Sequence, residues 1–180
     1  EHNRGHHQHV ATDQDPASAR LGENLYAFWG RSVAGSWRNA WILERRRLQK
    51  ENRPIWSWQN EMLRFIGCQI SWLAGIYVLT GGRGLAGATT IAVVGFLLLE
   101  TINYVEHYGL RRRLLASGRP EPVGPQHSWN SDHEMGRILL YELTRHSDHH
   151  YKSTRKYQIL RHLDNSPQLP FGYPTSILLA

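Results

Sequence analysis

The residues most able to do chemistry in this sequence are its histidines. Eleven of the 180 residues are histidine, and only one, Cys68, is cysteine. A single cysteine excludes a disulfide framework and any site built on a CxxC motif, so metal chemistry here has to use imidazole and carboxylate ligands. Seven of the histidines fall in three clusters: Glu1-His2-Asn3-Arg4-Gly5-His6-His7, Glu106-His107-Tyr108-Gly109 and Arg145-His146-Ser147-Asp148-His149-His150.

The spacing within the clusters predicts a site with more than one metal ion. At about 100° per residue on a helix, His146 and His150 lie about 40° apart and His149 about 60° to the other side, so all three can converge on one point. In the first cluster His2 and His6 share a helix face, whereas His7 points about 100° away. This arrangement favours ligands divided between two metal ions.

Simpler explanations for the histidines have to be weighed against a metal site. An exposed pair of histidines usually has no function, and a histidine run near a terminus is typical of an expression tag. These clusters are not homopolymeric, and the outer two lie about 100 residues or more apart in the sequence. They also exceed the tetrahedral ligand set of a structural zinc. Neutral imidazole binds zinc, copper, iron and nickel, so the composition does not choose the metal.

Two apolar segments separate the first cluster from the other two. Residues 62–80 contain one charge, Arg64, and residues 85–105 contain one charge, Glu100. Each segment has the roughly 20 residues that cross a bilayer, and the four-residue connector 81–84 predicts an antiparallel transmembrane hairpin. Basic residues flank the hairpin on the side of both polar arms, so we expect both arms in the cytoplasm. The alternative is a pair of buried helices in a soluble all-α core.

The histidine clusters resemble motifs of one enzyme family. The three clusters, the longer segment Asn103-Tyr104-Val105-Glu106-His107-Tyr108-Gly109-Leu110 and the tail Leu169-Pro170-Phe171-Gly172-Tyr173-Pro174-Thr175 are similar to the second histidine box, the HYG motif, the third histidine box and the tail of the membrane alkane 1-monooxygenases. These are integral-membrane non-haem di-iron hydroxylases, distantly related to the fatty-acid desaturases. Small departures are Thr144, where glutamine is common, and Ser176, where methionine is common.

The resemblance implies an all-α fold, an integral-membrane helical bundle of the fatty-acid desaturase/hydroxylase type. Two of its six transmembrane helices would lie in this chain together with cytoplasmic helical arms. We expect one partial hydroxylase domain over residues 1–180, with a histidine-box arm at 1–60, the hairpin at 62–105 and a second histidine-box region at 106–180. The first histidine box of the family, of the HExxHK type, is not in this sequence. The chain opens on Glu1 at full histidine density, so we expect further residues before it.

The resemblance also implies roles for individual residues. Two non-haem irons would be bound by the seven clustered histidines: His2, His6, His7, His107, His146, His149 and His150. Glu106 lies next to a ligand, so it could act catalytically beside the irons or accept a hydrogen bond from a ligand imidazole. Because metal-bound imidazoles usually donate their second N–H group to a carboxylate or carbonyl, we expect Glu1, Glu100 and Asp148 to support the ligands in this way. Glu100 could instead be a polar group at the end of the bundle, near the membrane surface.

The activity that the resemblance implies is terminal hydroxylation of medium- to long-chain n-alkanes to 1-alkanols, with O₂ as co-substrate. The sequence holds no haem, flavin or rubredoxin motif, so the electrons must come from a separate protein, which in this family is rubredoxin with its reductase. The chain carries a net charge of +6, and its basic residues would suit this acidic donor or membrane lipid. We expect the bacterial inner membrane, an active site on the cytoplasmic side, and no nucleic-acid partner. The basic residues in question are Arg38, Arg45, Arg46, Arg47, Lys152, Arg155, Lys156 and Arg161.

Two other functions remain open from the sequence. A related di-iron hydroxylase or desaturase could act on another apolar chain, such as an aromatic hydrocarbon or a fatty acyl group. A non-catalytic membrane protein could use the same histidines to store or sense a metal. Oxygen uptake coupled to alkane separates these possibilities, because a metal store binds iron and turns nothing over.

Overall fold

The structure is a computed structural model that describes residues 2–180. These residues form helices and no strand; two isolated bridges, between Leu114 and Pro120 and between Asn130 and Gln168, are the only β-type pairings among them. The helical fold class predicted from the sequence is therefore found in the described part. The helices are α1 (His6–His9), α2 (Leu25–Lys50), α3 (Glu61–His107), α4 (Glu134–Leu139), α5 (His146–Tyr151) and α6 (Tyr173–Leu179), with 3₁₀ turns at Pro125–His127 and Tyr157–Ile159.

The chain divides into two compact units. One unit comprises residues 1–36 and 100–180, and the other comprises residues 37–99. All seven clustered histidines belong to the first unit. Its apolar core contains Ala19, Phe28, Tyr104 and Val105, with the Phe28 and Tyr104 rings 5.4 Å apart. This packing joins the first turn of α2 to the last turns of α3, and so it fixes the helix end that carries His107.

The second unit contains most of α2 and the apolar part of α3. Asn52 ends α2 in the left-handed conformation (φ 52°), and the Arg53 N–H donates to the Leu48 carbonyl 2.9 Å away. Asn60 begins α3, because its Oδ1 accepts the N–H groups of Met62 and Leu63 at 3.0 and 3.3 Å. An asparagine therefore sets the end of α2 through its backbone conformation, and another sets the start of α3 through its side chain.

Helix α3 differs from the predicted pair of transmembrane helices. Within residues 2–180 it is the single helix that is long and apolar enough to cross a membrane. It consists of two helical segments that meet at Gly81, whose φ of 69° and ψ of −169° are non-helical. The sequence predicts a connector at 81–84, but in the structure only Gly81 is non-helical and the helix resumes at the next residue. Only 11% of its most apolar stretch is buried, unlike the core helix of a soluble protein.

The apolar pattern of the sequence predicts one helix over residues 132–150, and the structure interrupts it. Helix α4 ends at Leu139, and Tyr141 and Glu142 both adopt positive φ angles, 53° and 62°. Non-glycine residues reach this region only when other contacts compensate, and here the Arg137 guanidinium binds the Glu142 carboxylate at 2.8 Å. The interruption makes α5 a separate short helix, His146–Tyr151.

Candidate metal centre

His107 enters the centre from the end of a long helix. It is the last residue of α3 and is fully buried, and the preceding residues Tyr104, Val105 and Glu106 are buried with it. The helix becomes buried from Glu100 onward, after a long exposed stretch. Packing of this last part against α2 therefore places the His107 imidazole inside the first unit.

The first histidine cluster does not form one continuous helix. His2 lies in a turn, and α1 begins only at His6. The rings of His2 and His6 nevertheless stack, with their centroids 5.3 Å apart. His6 and His7 are buried, and the His7 Nε2 atom lies 3.1 Å from the His2 Nε2 atom. His2 therefore contacts both His6 and His7.

Helix α5 carries the third cluster. His146 and His150 are buried, and His149 is partly buried. The Nε2 atom of His146 lies 3.2 Å from the Nε2 atom of His107, so α5 meets the end of α3 at its first residue. The neighbouring Ser147 hydroxyl donates to Asn130 Oδ1 at 3.1 Å, which ties α5 to the loop before α4.

The seven histidines form two groups, each with a set of ring nitrogens within 4.8 Å of one another. The first group is fully buried and the second is more exposed. A division between two sites agrees with the spacing argument, but the membership differs from it, since His149 leaves its α5 neighbours and joins the second group. The groups are His6, His107, His146 and His150 on one side, and His2, His7 and His149 on the other.

The ring nitrogens of these groups are suited to a metal ion. His6 Nε2, His107 Nδ1 and both ring nitrogens of His150 are buried without a hydrogen-bond partner, as is His7 Nδ1. Buried polar atoms are nearly always hydrogen-bonded, so several unpaired ring nitrogens close together indicate a binding site for a group that accepts their lone pairs. A cation fits this requirement.

The protonation state also favours a metal. Burial, together with the neighbouring histidines, lowers the pKa of His2 to about 4 and that of His7 to about 3. Burial lowers the pKa of His146 and His150 well below the ordinary value. These imidazoles are neutral at pH 7, and neutral imidazole is the form that binds a metal.

Glu106 lies between a ligand and a tyrosine. Its Oε2 atom is 3.3 Å from His146 Nε2, and its Oε1 atom accepts a hydrogen bond from the Tyr173 hydroxyl at 2.7 Å. The carboxylate thus lies beside the first histidine group, where the sequence analysis expects a catalytic group. Tyr173 was not among the predicted site residues, although it belongs to the tail that resembles the family.

Asp15 is a second residue that the sequence analysis missed. Pro16 after an aspartate suggests a helix start, but residues 16–24 form turns and α2 begins at Leu25. The Asp15 Oδ2 atom instead accepts from His6 Nδ1 at 2.9 Å and from the Ser18 hydroxyl at 2.6 Å. Burial raises the pKa of Asp15, but the hydrogen bonds from His6 and Ser18 outweigh it and leave the pKa below its ordinary value. Asp15 therefore orients His6 with Nε2 directed to the group.

The other carboxylates predicted to support ligands occupy different surroundings. Asp148 is buried on α5, and its carboxylate binds the guanidinium groups of Arg155 and Arg161 and the Arg161 N–H. Glu100 is buried on α3, and its Oε2 atom has no hydrogen-bond partner. Glu1 lies outside the described residues. For all three a role beside the imidazoles stays a prediction.

The sequence of the chain is similar to those of known proteins. The sequence profile of the family described as fatty acid desaturase matches residues 1–177. The chain belongs to the fatty acid desaturase family. Proteins with similar sequences include alkane 1-monooxygenase 2 of Pseudomonas aeruginosa, 45% identical over 180 residues, which are 100% of this chain and 48% of that protein. The alkane 1-monooxygenase of Acinetobacter baylyi is 43% identical over 180 residues, 100% of this chain and 44% of that protein.

A further relative is less similar in sequence. The hydroxylase component of xylene/toluene monooxygenase from Pseudomonas putida is 29% identical over 167 residues, 92% of this chain and 43% of that protein. The chain spans about half the length of the curated relatives it matches, and it corresponds to their C-terminal part. The resemblance to alkane 1-monooxygenases inferred from the histidine motifs is thereby confirmed.

Proposed function

We propose that this chain is the C-terminal part of an alkane 1-monooxygenase. The complete protein would insert one oxygen atom of O₂ into a terminal C–H bond of a medium- to long-chain n-alkane, and the second oxygen atom would leave as water with two electrons and two protons. The observation that carries this proposal is the division of seven imidazoles into two adjacent groups at the end of an apolar helix. The similarity to alkane 1-monooxygenases supports it.

The two groups would hold two non-haem irons, and iron bound there would supply the activation of O₂. The first group would offer four imidazoles and the second would offer three. The chain's own residues have three tasks. They keep imidazoles such as those of His146 and His150 neutral by burial, they fix His6 through Asp15, and they place the Glu106 carboxyl group against His146. In this position, Glu106 would accept or return a proton at the centre.

A pocket in the same unit supports an apolar substrate. Its cavity volume is about 470 Å³, within the range of ordinary ligand pockets. The residues before and after the ligand His107 contribute to it, and so does the tail segment that carries Tyr173. The lining includes Val105, Tyr108, Trp129, Leu169 and Phe171.

The polar groups of this pocket are already used within the protein. The Tyr108 hydroxyl accepts the Gly22 N–H at 2.9 Å, and the Trp129 indole N–H donates to the Tyr108 carbonyl at 2.9 Å. The Ser176 hydroxyl donates to the Phe171 carbonyl at 3.3 Å. A ligand there meets apolar surface, and each buried CH₂ group contributes about 0.8 kcal/mol. An n-alkane, which has no polar group, suits such a lining.

The membrane placement is part of the same proposal. The two segments of α3 that meet at Gly81 would cross the bacterial inner membrane twice, with the metal centre on the cytoplasmic side. Their exposed apolar side chains, such as Leu79 and Val78, suit lipid or neighbouring helices. Trp56 and Trp58 precede α3 with 84% and 82% of their surfaces exposed, as expected for indoles at the membrane surface.

A separate electron donor completes the proposed reaction. We propose reduced rubredoxin, supplied by a reductase, as the acidic partner of the basic residues. The structure divides these residues, since Arg47 binds Glu44 and Glu51, and Arg155 and Arg161 bind Asp148. The exposed residues of this set that have no such carboxylate are Arg38, Arg45, Arg46, Lys152 and Lys156.

The decisive experiment measures turnover by the full-length protein in membranes with rubredoxin and its reductase. NADH-dependent O₂ uptake should increase on addition of n-octane or n-hexadecane, with one 1-alkanol formed per O₂ consumed. His107→Ala should abolish the reaction through loss of a ligand. His133→Ala removes an exposed histidine outside both groups and should leave turnover intact.

Two results would contradict the proposal. Iron binding with turnover of aromatic or acyl substrates, but of no alkane, would assign the protein to another hydroxylase or to a desaturase. Bound metal without oxygen consumption for any of these substrates would favour the metal-storing alternative. Near-normal turnover by His107→Ala would remove this histidine from the metal ligands.

A further inference from the structure

The hydrogen bond between Tyr173 and Glu106 connects two distant parts of the chain. Tyr173 is the first residue of α6 and is 2% exposed, and Glu106 is 5% exposed. The two residues are 67 positions apart in the sequence, and the 2.7 Å between the hydroxyl and Oε1 is the length of a good O–H···O bond. Tyr173 is also the largest fully buried side chain in the described residues.

The second oxygen of the Glu106 carboxyl group lies at the histidine centre. Glu106 Oε2 lies 3.3 Å from His146 Nε2, and the same nitrogen lies 3.2 Å from His107 Nε2. The carboxylate therefore approaches His146 at the nitrogen that faces the histidine group. A carboxylate that merely supported the imidazole would bind the opposite nitrogen, as Asp15 does for His6.

Packing alone does not require a hydroxyl at this position. Phenylalanine fills nearly the same volume as tyrosine, and a buried tyrosine hydroxyl needs a partner. The single hydrogen bond of the Tyr173 hydroxyl goes to Glu106. Because both residues are buried and water cannot replace the contact, this hydrogen bond can hold the Glu106 carboxyl group in one orientation.

The segment that carries Tyr173 is fixed independently of this bond. The Leu169 N–H donates to the Asn130 carbonyl at 2.8 Å, and the Asn130 N–H donates to the Pro167 carbonyl at 2.8 Å. Asn130 in turn accepts the Ser147 hydroxyl of α5. The tail is therefore anchored to the element that carries His146 before it reaches Tyr173, so loss of the hydroxyl would leave the tail in place.

We propose that Tyr173 is a positioning residue that holds the Glu106 carboxyl group at the Nε2 atom of His146, on the side of the first histidine group. The inference rests on the proposed metal centre and goes beyond it, since it assigns a function to the tail. The Tyr173 hydroxyl binds Glu106, so Tyr173 would influence the histidine groups through this carboxyl group. Its effect should therefore appear in the metal environment and in the chemical step, and not in metal content.

The test compares Tyr173→Phe with the unmodified full-length protein, purified in detergent and loaded with cobalt(II). Both proteins should bind the same amount of cobalt, because every histidine is retained. The visible d–d absorption and circular dichroism bands should shift in Tyr173→Phe. Tyr104→Phe is the control for the spectrum, since its hydroxyl binds the Glu23 carbonyl at 2.6 Å and not a carboxylate of the centre. Its bands should match those of the unmodified protein.

Kinetics of the iron-loaded protein give the second readout. Tyr173→Phe should lower kcat about tenfold, the loss expected for one buried hydrogen bond, with KM for the alkane unchanged. Glu106→Gln should lower kcat further. The double variant should be no slower than Glu106→Gln alone, because a residue that acts only through Glu106 has no effect once the carboxylate is gone.

Identical cobalt spectra for Tyr173→Phe and the unmodified protein would overturn the proposal. Multiplicative losses of kcat in the double variant would also overturn it, because they would show independent roles. A cobalt-binding protein that hydroxylates no alkane after loading with iron would refute the proposed function instead. The spectral comparison would then still decide the position of Tyr173.

Discussion

Replacement of Asp15 by asparagine should weaken one metal group selectively. Asp15 Oδ2 accepts from His6 Nδ1 and the Ser18 hydroxyl, and Oδ1 accepts the Ala17 N–H at 3.1 Å. An amide replaces one of these acceptors by a donor. If its NH₂ group faces Ala17, two donors oppose each other. If it faces His6, the imidazole must accept at Nδ1 and carry its proton on Nε2, where it can no longer bind a metal.

The size of the effect follows from burial. The side chains of His6 and Asp15 are 3% and 0% exposed, so water cannot replace the lost contact. Loss of a carboxylate behind a metal-bound imidazole typically lowers metal affinity about 10- to 100-fold, or roughly 1.4–2.7 kcal/mol. The change should fall on the group of His6 and His107. The group of His2 and His7 lacks this contact and should change less.

Chelator competition with cobalt(II) on the full-length protein measures both affinities. Asp13→Asn is the matched control, because Asp13 lies two residues away, is 78% exposed and binds Arg111 at the surface. The control should retain both affinities within about twofold, as expected for a surface pair. Equal affinities for Asp15→Asn and the unmodified protein would show that Asp15 does not orient His6. Equal weakening of both groups would show that its role is structural.

Three further predictions concern stability and partner binding. Asp148→Asn should lower the free energy of unfolding at pH 7 by about 2–4 kcal/mol, since two arginines lose their buried partner. Burial raises the pKa of Asp148, but its hydrogen bonds to the two arginines lower it more, so this stabilisation is complete above the ordinary pKa and is lost as the pH falls through the folded-state pKa. Chemical unfolding from pH 7 to pH 3 should show the two proteins converging in acid, and a constant difference would refute the assignment. Gly81→Ala should lower the free energy of unfolding by about 1–3 kcal/mol, because alanine is strained at a φ of 69°. Gly82 has no positive φ and open space around it, so Gly82→Ala should lower the free energy less when both variants are unfolded thermally. Equal losses for the two variants would contradict the strain at Gly81. The double variant Lys152→Glu, Lys156→Glu should raise KM for reduced rubredoxin severalfold at low salt and little at high salt, and a salt-independent KM would leave these lysines without a docking role.

Local sequence spacing predicted the ligands but not their grouping. The seven histidines are recognisable because three short motifs contain them all. Their assignment to two groups depends on where each helix begins, and His2 lies in a turn that the periodicity argument treated as helix. The positive φ angles at Tyr141 and Glu142 likewise separate α5 from α4, which no hydrophobic pattern indicates.

The residues that orient the ligands are harder to find from sequence. Asp15 lies nine positions after His6, and its proline neighbour suggests a helix start rather than a contact with an imidazole. Tyr173 lies 67 positions after Glu106, so only the fold brings the two together. The usable signals were an acidic residue followed by Ser18 in a turn, and a tail motif with no function assigned to it. Both contacts are tertiary, whereas spacing arguments reach about one or two helical turns.

The composition of the two histidine groups has a consequence for how the protein is made. Each group combines residues from the beginning of the chain with residues from α5, and α3 lies between them in the sequence. Neither group can be complete until the ribosome has synthesised its last histidine, His150 or His149, and that residue has left the exit tunnel. The apolar part of α3 leaves the tunnel well before that point, so insertion into the membrane would precede metal loading. Metal then closes a loop of about 140 residues, and its removal separates the two ends of the domain.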